Sequence, residues 1–156
     1  MWCSILSAAL AAGACSKKTD DTGAAATEVK KTQEDVNDQA KAYQKTAADR
    51  GSTEKDLNKA EGNLAAARSD LDAARDRYAI TVKDRLAKID IKMHELEQRA
   101  DAKSKEALAK LQTQRAALAI KIETMKDRAA ADWETVTKDV DSTFDAIEKD
   151  IKDAVK

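Results

Sequence analysis

From Leu108 to Val155 the apolar residues recur at helical steps: Leu108, Leu111, Leu118, Ile122 and Met125, then Trp133, Val136, Val140, Phe144, Ile147, Ile151 and Val155. That period sets one apolar stripe along one side of a helix. The opposite side is charged, so the stripe must be buried against another helix. A second run precedes it. Leu57, Leu64, Leu71 and Tyr78 stand seven apart, and the seam continues through Val82, Leu86, Ile89, Met93, Leu96 and Ala100. A third, weaker stripe joins Val29, Val36 and Tyr43, with Ala40 and Ala47 between them.

The local signals give boundaries. The weak stripe predicts an N-terminal helix over 28–50, closed by Gly51 as a C-terminal cap. Ser52 is then the expected N-cap of the next helix, with Glu54 and Asp56 in its first turn. Neither proline nor glycine occurs after Gly62, so local chemistry also allows one helix of about 140 Å from there to the end. The stripe fades at 101–105, however, and Ser104 is placed to N-cap a new helix with Glu106 in its first turn. The expected fold class is all-α: a long antiparallel coiled-coil hairpin over 52–156, turning near 101–104. An additional shorter N-terminal helix and a disordered linker precede it. A turn there sets Leu96 near Ala109, Leu86 near Ala119, and Leu71 near Trp133 and Glu134. The alternative is a straight helix that buries its stripe in a parallel dimer or trimer. Acid-before-base pairs four apart, at Asp84/Lys88, Glu95/Arg99, Glu106/Lys110 and Glu148/Lys152, mark surface. The seam takes two consecutive steps of four before Trp133, a stutter that locally unwinds a supercoil. Trp133 is the core side chain expected to fill the wider gap.

Composition narrows this further. The 156 residues contain no proline, four glycines, 3% aromatics and 37% charged residues, a mixture that favours long helices over sheets. A narrow seam holds helices together but encloses no substrate cavity. The net charge of −1 comes from interleaved signs, not from the basic face of a nucleic-acid binder.

Residues 1–14 form an uncharged, mostly apolar run, the length of a signal-peptide core and too short to span a bilayer. The run ends in Ala12-Gly13-Ala14, directly before Cys15. A lipoprotein signal peptidase requires small residues at that point, followed by a cysteine carrying diacylglycerol. The segment therefore resembles a bacterial lipobox, with 1–14 as signal peptide and Cys15 as the lipidated first residue of the mature chain. It departs from the usual pattern at Ala12, where leucine is commoner, and in having no Lys or Arg before the apolar run. The other reading is an amphipathic or buried N-terminal helix. Ser16 after the cysteine, by analogy with enterobacterial sorting, implies the outer membrane. More than one acyl chain gives stable anchoring. Residues 15–27 are then the lipidated cysteine and a polar, flexible leash without apolar period.

Chemical motifs are scarce. His94-Glu95-Leu96-Glu97-Gln98 begins like a zinc-protease helix, but Gln98 stands where the second histidine is needed. The acids Asp139, Asp141, Asp145 and Asp150 have a faint calcium-loop spacing, but Phe144 occupies the glycine position. No nucleophile with a base, phosphate-cradling loop or convergent acid pair is apparent. The expectation is a non-enzymatic protein without metal, cofactor or small-molecule substrate.

From Arg85 to Lys156 the chain resembles a bacterial family of stress-associated coiled-coil proteins, known from cyanobacteria and proteobacteria. The resemblance rests on Arg85-Leu-Ala-Lys-Ile-Asp90, on Leu108-Ala-Lys-Leu-Gln112, and on Asp132-Trp133-Glu134 followed by Val140-Asp141-Ser-Thr-Phe144-Asp145-Ala-Ile147. Phe144 and Ile147 fall where Trp or Phe and Leu are usual. The resemblance implies an antiparallel helical hairpin and a link to osmotic or general stress, with no known ligand.

The leading expectation is an outer-membrane lipoprotein held through Cys15, projecting a helical interaction or envelope-stress module into the periplasm. Its protein partner is unspecified, and self-association is allowed. The second is a structural tether similar to the major outer-membrane lipoprotein of enteric bacteria, joined to peptidoglycan through the terminal Lys156. Next come a cytosolic stress coiled coil, should the lipobox be false, and an amphipathic helix lying on lipid, whose polar face should be basic rather than mixed.

Overall fold

The computed structural model describes residues 21–99, 102–125 and 132–155. The expected signal peptide 1–14, the first part of the linker, Cys15 and Lys156 lie outside the described residues. Every described element is a helix: α1 (Asp21–Ala48), α2 (Glu54–Glu97), α3 (Ala102–Thr124) and α4 (Trp133–Val155).

The α1 helix starts well before the expected residue 28. Ala24, Ala25 and Ala26 favour helix, and Asp21 sits in the favourable first turn. Ala25 and Ala26 pack on the core, and Thr22 is 1% exposed. The stretch 21–27 is therefore helix and not leash. Its one buried polar group, the Thr22 hydroxyl, has a partner in Arg85 of α2. The α1–α2 turn also differs in detail. Asp49 Oδ1 accepts from the Gly51 amide at 2.9 Å, and Thr53, not Ser52, is the N-cap of α2. Thr53 and Asp56 form a reciprocal capping box, with Thr53 N donating to Asp56 Oδ2 at 3.0 Å and Asp56 N to Thr53 Oγ1 at 3.3 Å. The Thr53 hydroxyl, donating to Asp56 Oδ2 at 2.6 Å, and then the Thr53 amide hold the Asp56 carboxyl below its ordinary range.

The path beyond α2 departs further from a two-armed hairpin. In place of one continuous second arm there are two helices, α3 and α4, which run in opposite directions. Lys121 of α3 meets Asp139 of α4, and Lys110 and Gln114 meet Asp150, so these two are antiparallel. Along α2, Tyr78 donates to the Thr137 carbonyl, Arg85 reaches Asp145 and Glu148, and Arg99 donates to the Val155 carbonyl. Thus α4 runs parallel to α2. Ser104, the expected N-cap, is instead inside α3 and 1% exposed. Val155, expected within the stripe, is 54% exposed. Folding α4 back lets its wide apolar face, Trp133, Val140, Phe144, Ile147 and Ile151, cover α2 and α3 together.

The result has two parts. Along α2 from Tyr78 onward, α3 and α4 complete a three-helix section that holds most of the large buried side chains. Towards the α1–α2 turn, among the described residues, α1 and α2 continue alone as a thin arm. Arg77 pairs with Glu28 at 2.7 Å and Arg75 with Gln33 at 3.3 Å, which sets α1 antiparallel to α2. Arg115 forks onto Asp90 with two bonds of 2.9 Å and ties α3 to α2. This pair falls in the register that places Leu96 opposite Ala109. An acid and a base expected to serve intrahelical surface pairs do interhelical work: Glu148 receives Arg85, and Lys110 reaches Asp150 instead of Glu106.

Arg85 joins three helices. Its side chain is 13% exposed. Nε donates to Glu148 at 2.9 Å, Nη2 to Asp145 at 2.7 Å and Nη1 to Thr22 Oγ1 at 2.9 Å. Asp141 lies 3.9 Å away, and the guanidinium carbon sits 4.7 Å from the centre of the Phe144 ring. Removing the cation leaves three carboxylates facing one another. Asp145 is largely exposed and solvent screens it, so Arg85→Ala is expected to lower stability by about 2–3 kcal/mol. Arg85→Lys should recover only part of this, because an ammonium cannot present the planar fork. Urea denaturation followed by helical circular dichroism at neutral pH measures both.

The inter-helix acids also set an acid limit. The Arg115 fork holds Asp90 below the ordinary carboxylate range, and bonds from Lys110 and Gln114 do the same for Asp150. Folded protein therefore binds these protons less readily than unfolded chain. The stability they supply is present above the ordinary carboxylate pKa of about 4 and is lost as pH falls through the lowered folded values. The urea midpoint should hold on moderate acidification and drop below about pH 4. An Asp90→Asn/Asp150→Asn variant should start lower at neutral pH and lose less on acidification.

Candidate functional site

Among the described residues, a concave surface lies where the first half of α1 passes the start of α4. There a cleft of about 440 Å³ opens between Val29, Gln33 and Asn37 on one side and Trp133 and Thr137 on the other. Its rim carries Lys30, Glu34, Glu134, Lys138 and Asp141. The volume is that of a small-ligand site. Among the described residues, α4 begins at Trp133 at this level while α1 and α2 continue past it as the arm.

Trp133 is the first residue of α4 and is 4% exposed. Tyr78 meets its ring edge-on, with centroids 6.2 Å apart and planes at 75°. The Arg75 guanidinium lies 5.0 Å from the ring centre, a cation–π arrangement worth about 1 kcal/mol. Arg75 Nη2 in turn donates to Gln33. The stack is thus a relay from the amide on α1, through the cation on α2, to the indole on α4. Two of its buried donors, Trp133 Nε1 and Arg75 Nε, have no hydrogen-bond partner among the described residues. Above it, Glu134 accepts from Lys138 at 2.9 Å and faces Lys30 at 3.7 Å. Both cations hold its carboxyl below the usual range, Lys138 first. Apolar floor, carboxamides, orphaned donors and a mixed-charge rim are what a binding surface offers. No side chain there pairs a nucleophile with a base, among the described residues.

Of the described residues singled out in the sequence as possible ligands, Asp141 lies on the cleft rim and the others do not line it. Cys15 and Lys156 lie outside the described residues. His94 is exposed, with Nδ1 3.2 Å from Glu97 and Nε2 3.5 Å from Gln98 on its own helix. The acids of 139–150 are dispersed around α4: Asp139 goes to Lys121, Asp141 and Asp145 to Arg85, and Asp150 to Lys110. Among the described residues, no group of three or more His, Cys, Asp or Glu is arranged to hold a metal ion. Sequence reasoning missed the cleft and both central arginines. For Arg85 a signal existed: it stands three residues after Val82 and four before Ile89, an interior position held by a cation. Nothing comparable marked Gln33 or Asn37.

Compared with known proteins, the chain matches no family model, no curated protein and no solved structure.

Proposed function

We propose that the protein is a non-enzymatic interaction module, lipid-anchored through Cys15 to the periplasmic face of a bacterial outer membrane. Within it, α2 and α3 pack as an antiparallel coiled-coil hairpin, and a role in envelope stress is the reading the C-terminal resemblance favours. The observation that carries the proposal is the sequence Ala12-Gly13-Ala14-Cys15 at the end of an uncharged apolar run, five residues ahead of the helical bundle. The bundle is consistent with it. No helix among the described residues is long and apolar enough to cross a membrane. A cleft rimmed with both charges suits recognition more than catalysis.

The peptidoglycan tether through Lys156 is the second reading, and the topology weighs against it. A tether works best with its two attachments at opposite ends. Here α1 starts at the level of Arg85, through the Thr22 bond, and α4 ends at the level of Arg99, through the Val155 carbonyl. Along a helix those levels are only about 20 Å apart.

Cell fractionation tests both readings, using the native chain and Cys15→Ser expressed from the genomic start, with and without lysozyme. Native protein in the outer membrane and soluble variant is the expected result. A peptidoglycan-bearing form released by lysozyme would favour the tether. Two soluble cytoplasmic proteins would overturn anchoring and leave a cytosolic coiled coil.

A further inference from the structure

We infer that the three-helix section faces the bilayer and that the α1–α2 arm points away from it, with the turn at Asp49–Thr53 as the far tip. This inference rests on the lipid anchor at Cys15 proposed above.

Two independent observations carry it. The first is reach. Only residues 16–20 separate Cys15 from the start of α1, and that length of chain spans at most about 20 Å. The start of α1 is not at an end of the molecule. Thr22 bonds Arg85, part-way along α2. From there α1 runs 28 residues to the tip, about 42 Å. In the other direction α2 continues from Arg85 to Glu97, about 18 Å. The chain between Cys15 and Asp21 therefore allows the three-helix end to meet the membrane. It is too short by about half for the molecule to stand on its tip.

The second observation is where apolar side chains are exposed. The large exposed hydrophobic residues, among those described, are Ile80, Ile91, Ile120 and Val155. Ile91 and Val155 lie on the Glu97 side of Arg85. Ile120 is five residues from Arg115, whose partner is Asp90, and so lies near the Arg85 level. Ile80 is five residues from Arg85 towards the tip. None lies on the arm. A molecule lying flat would set the arm's polar surface on head groups and insert nothing apolar there. Contact at the three-helix end brings Ile91 and Val155, side chains of the type that enter the interface, nearest to it, with Ile120 and Ile80 farther back.

The test uses the full lipidated chain in vesicles containing a lipid-confined quencher. Arg50→Cys at the tip and Gln98→Cys at the three-helix end are both exposed turn positions, and each carries a thiol-reactive fluorophore. Circular dichroism first checks that helicity equals that of the parent. Expected is several-fold stronger quenching at position 98 than at 50, with the label at 50 no more quenched than in the same protein carrying Cys15→Ser. Equal quenching at both positions in protein that is anchored through Cys15 overturns the orientation alone. Equal vesicle binding of the native and Cys15→Ser chains overturns the anchor, and the orientation falls with it.

Discussion

A single arginine on α2 decides how the other helices can be placed. Arg85 occupies a seam position between Val82 and Ile89, where an apolar residue would ordinarily close the core. A buried cation is tolerated only if its hydrogen-bond donors are used and opposing charge is supplied. Two carboxylates on α4 accept directly, a third lies close, and the start of α1 supplies a hydroxyl. The Phe144 ring covers the guanidinium face. Satisfying this one group fixes the register of α4 along α2. It also ties the first described turn of α1 to α2, since the buried Thr22 hydroxyl accepts from Arg85.

From that register follows the reversal between α3 and α4. If α4 continued in the direction of α3, Asp145 and Glu148 would lie beyond Trp133 towards the arm, far from Arg85. Folded back, α4 sets Trp133 beside Tyr78 and Arg75, and carries its acids down to Arg85. The same reversal gives the stripe of α4 two helices to cover instead of one. Its apolar face is broad, from Trp133 through Val140, Phe144, Ile147 and Ile151, and all five are buried. A two-helix seam would leave part of that width in water.

The sequence displayed helices and core much more clearly than it displayed connectivity. Leu64, Leu71, Tyr78, Val82, Ile89, Met93 and Leu96 are buried at the spacing their period demands, as are Leu111, Leu118 and Ile122. Periodicity reports which face is apolar, but it carries no sign for the direction in which the next helix runs. The break before Trp133 was visible only as a change of step, and with no glycine or proline to mark it the stutter reads equally as supercoil adjustment. The start of α1 was hidden for another reason. Alanines and a threonine give no apolar contrast, and what they meet, Arg85 for Thr22 and the core for Ala25 and Ala26, is distant in sequence. The cleft was still less legible. It arises from the mismatch in length between α4 and the arm, a property of the assembled helices and of no single segment.

That mismatch also divides the molecule energetically. The three-helix section buries Tyr78, Ile89, Leu96, Leu111, Leu118, Phe144 and Ile147. The arm buries Leu64, Ala67 and Leu71 and is otherwise half-covered. Apolar burial scales with area, so the arm is the part that opens at the lower free-energy cost. Two local devices offset this. The reciprocal capping box of Thr53 and Asp56 holds the first turn of α2 at the tip, and the Arg77–Glu28 and Arg75–Gln33 bonds clamp the base. Trp133 sits at that base, where the rigid section gives way to the arm. Its own indole donor and the neighbouring Arg75 Nε are buried without a hydrogen-bond partner among the described residues, so the junction carries polar groups that the packing of the described helices does not satisfy.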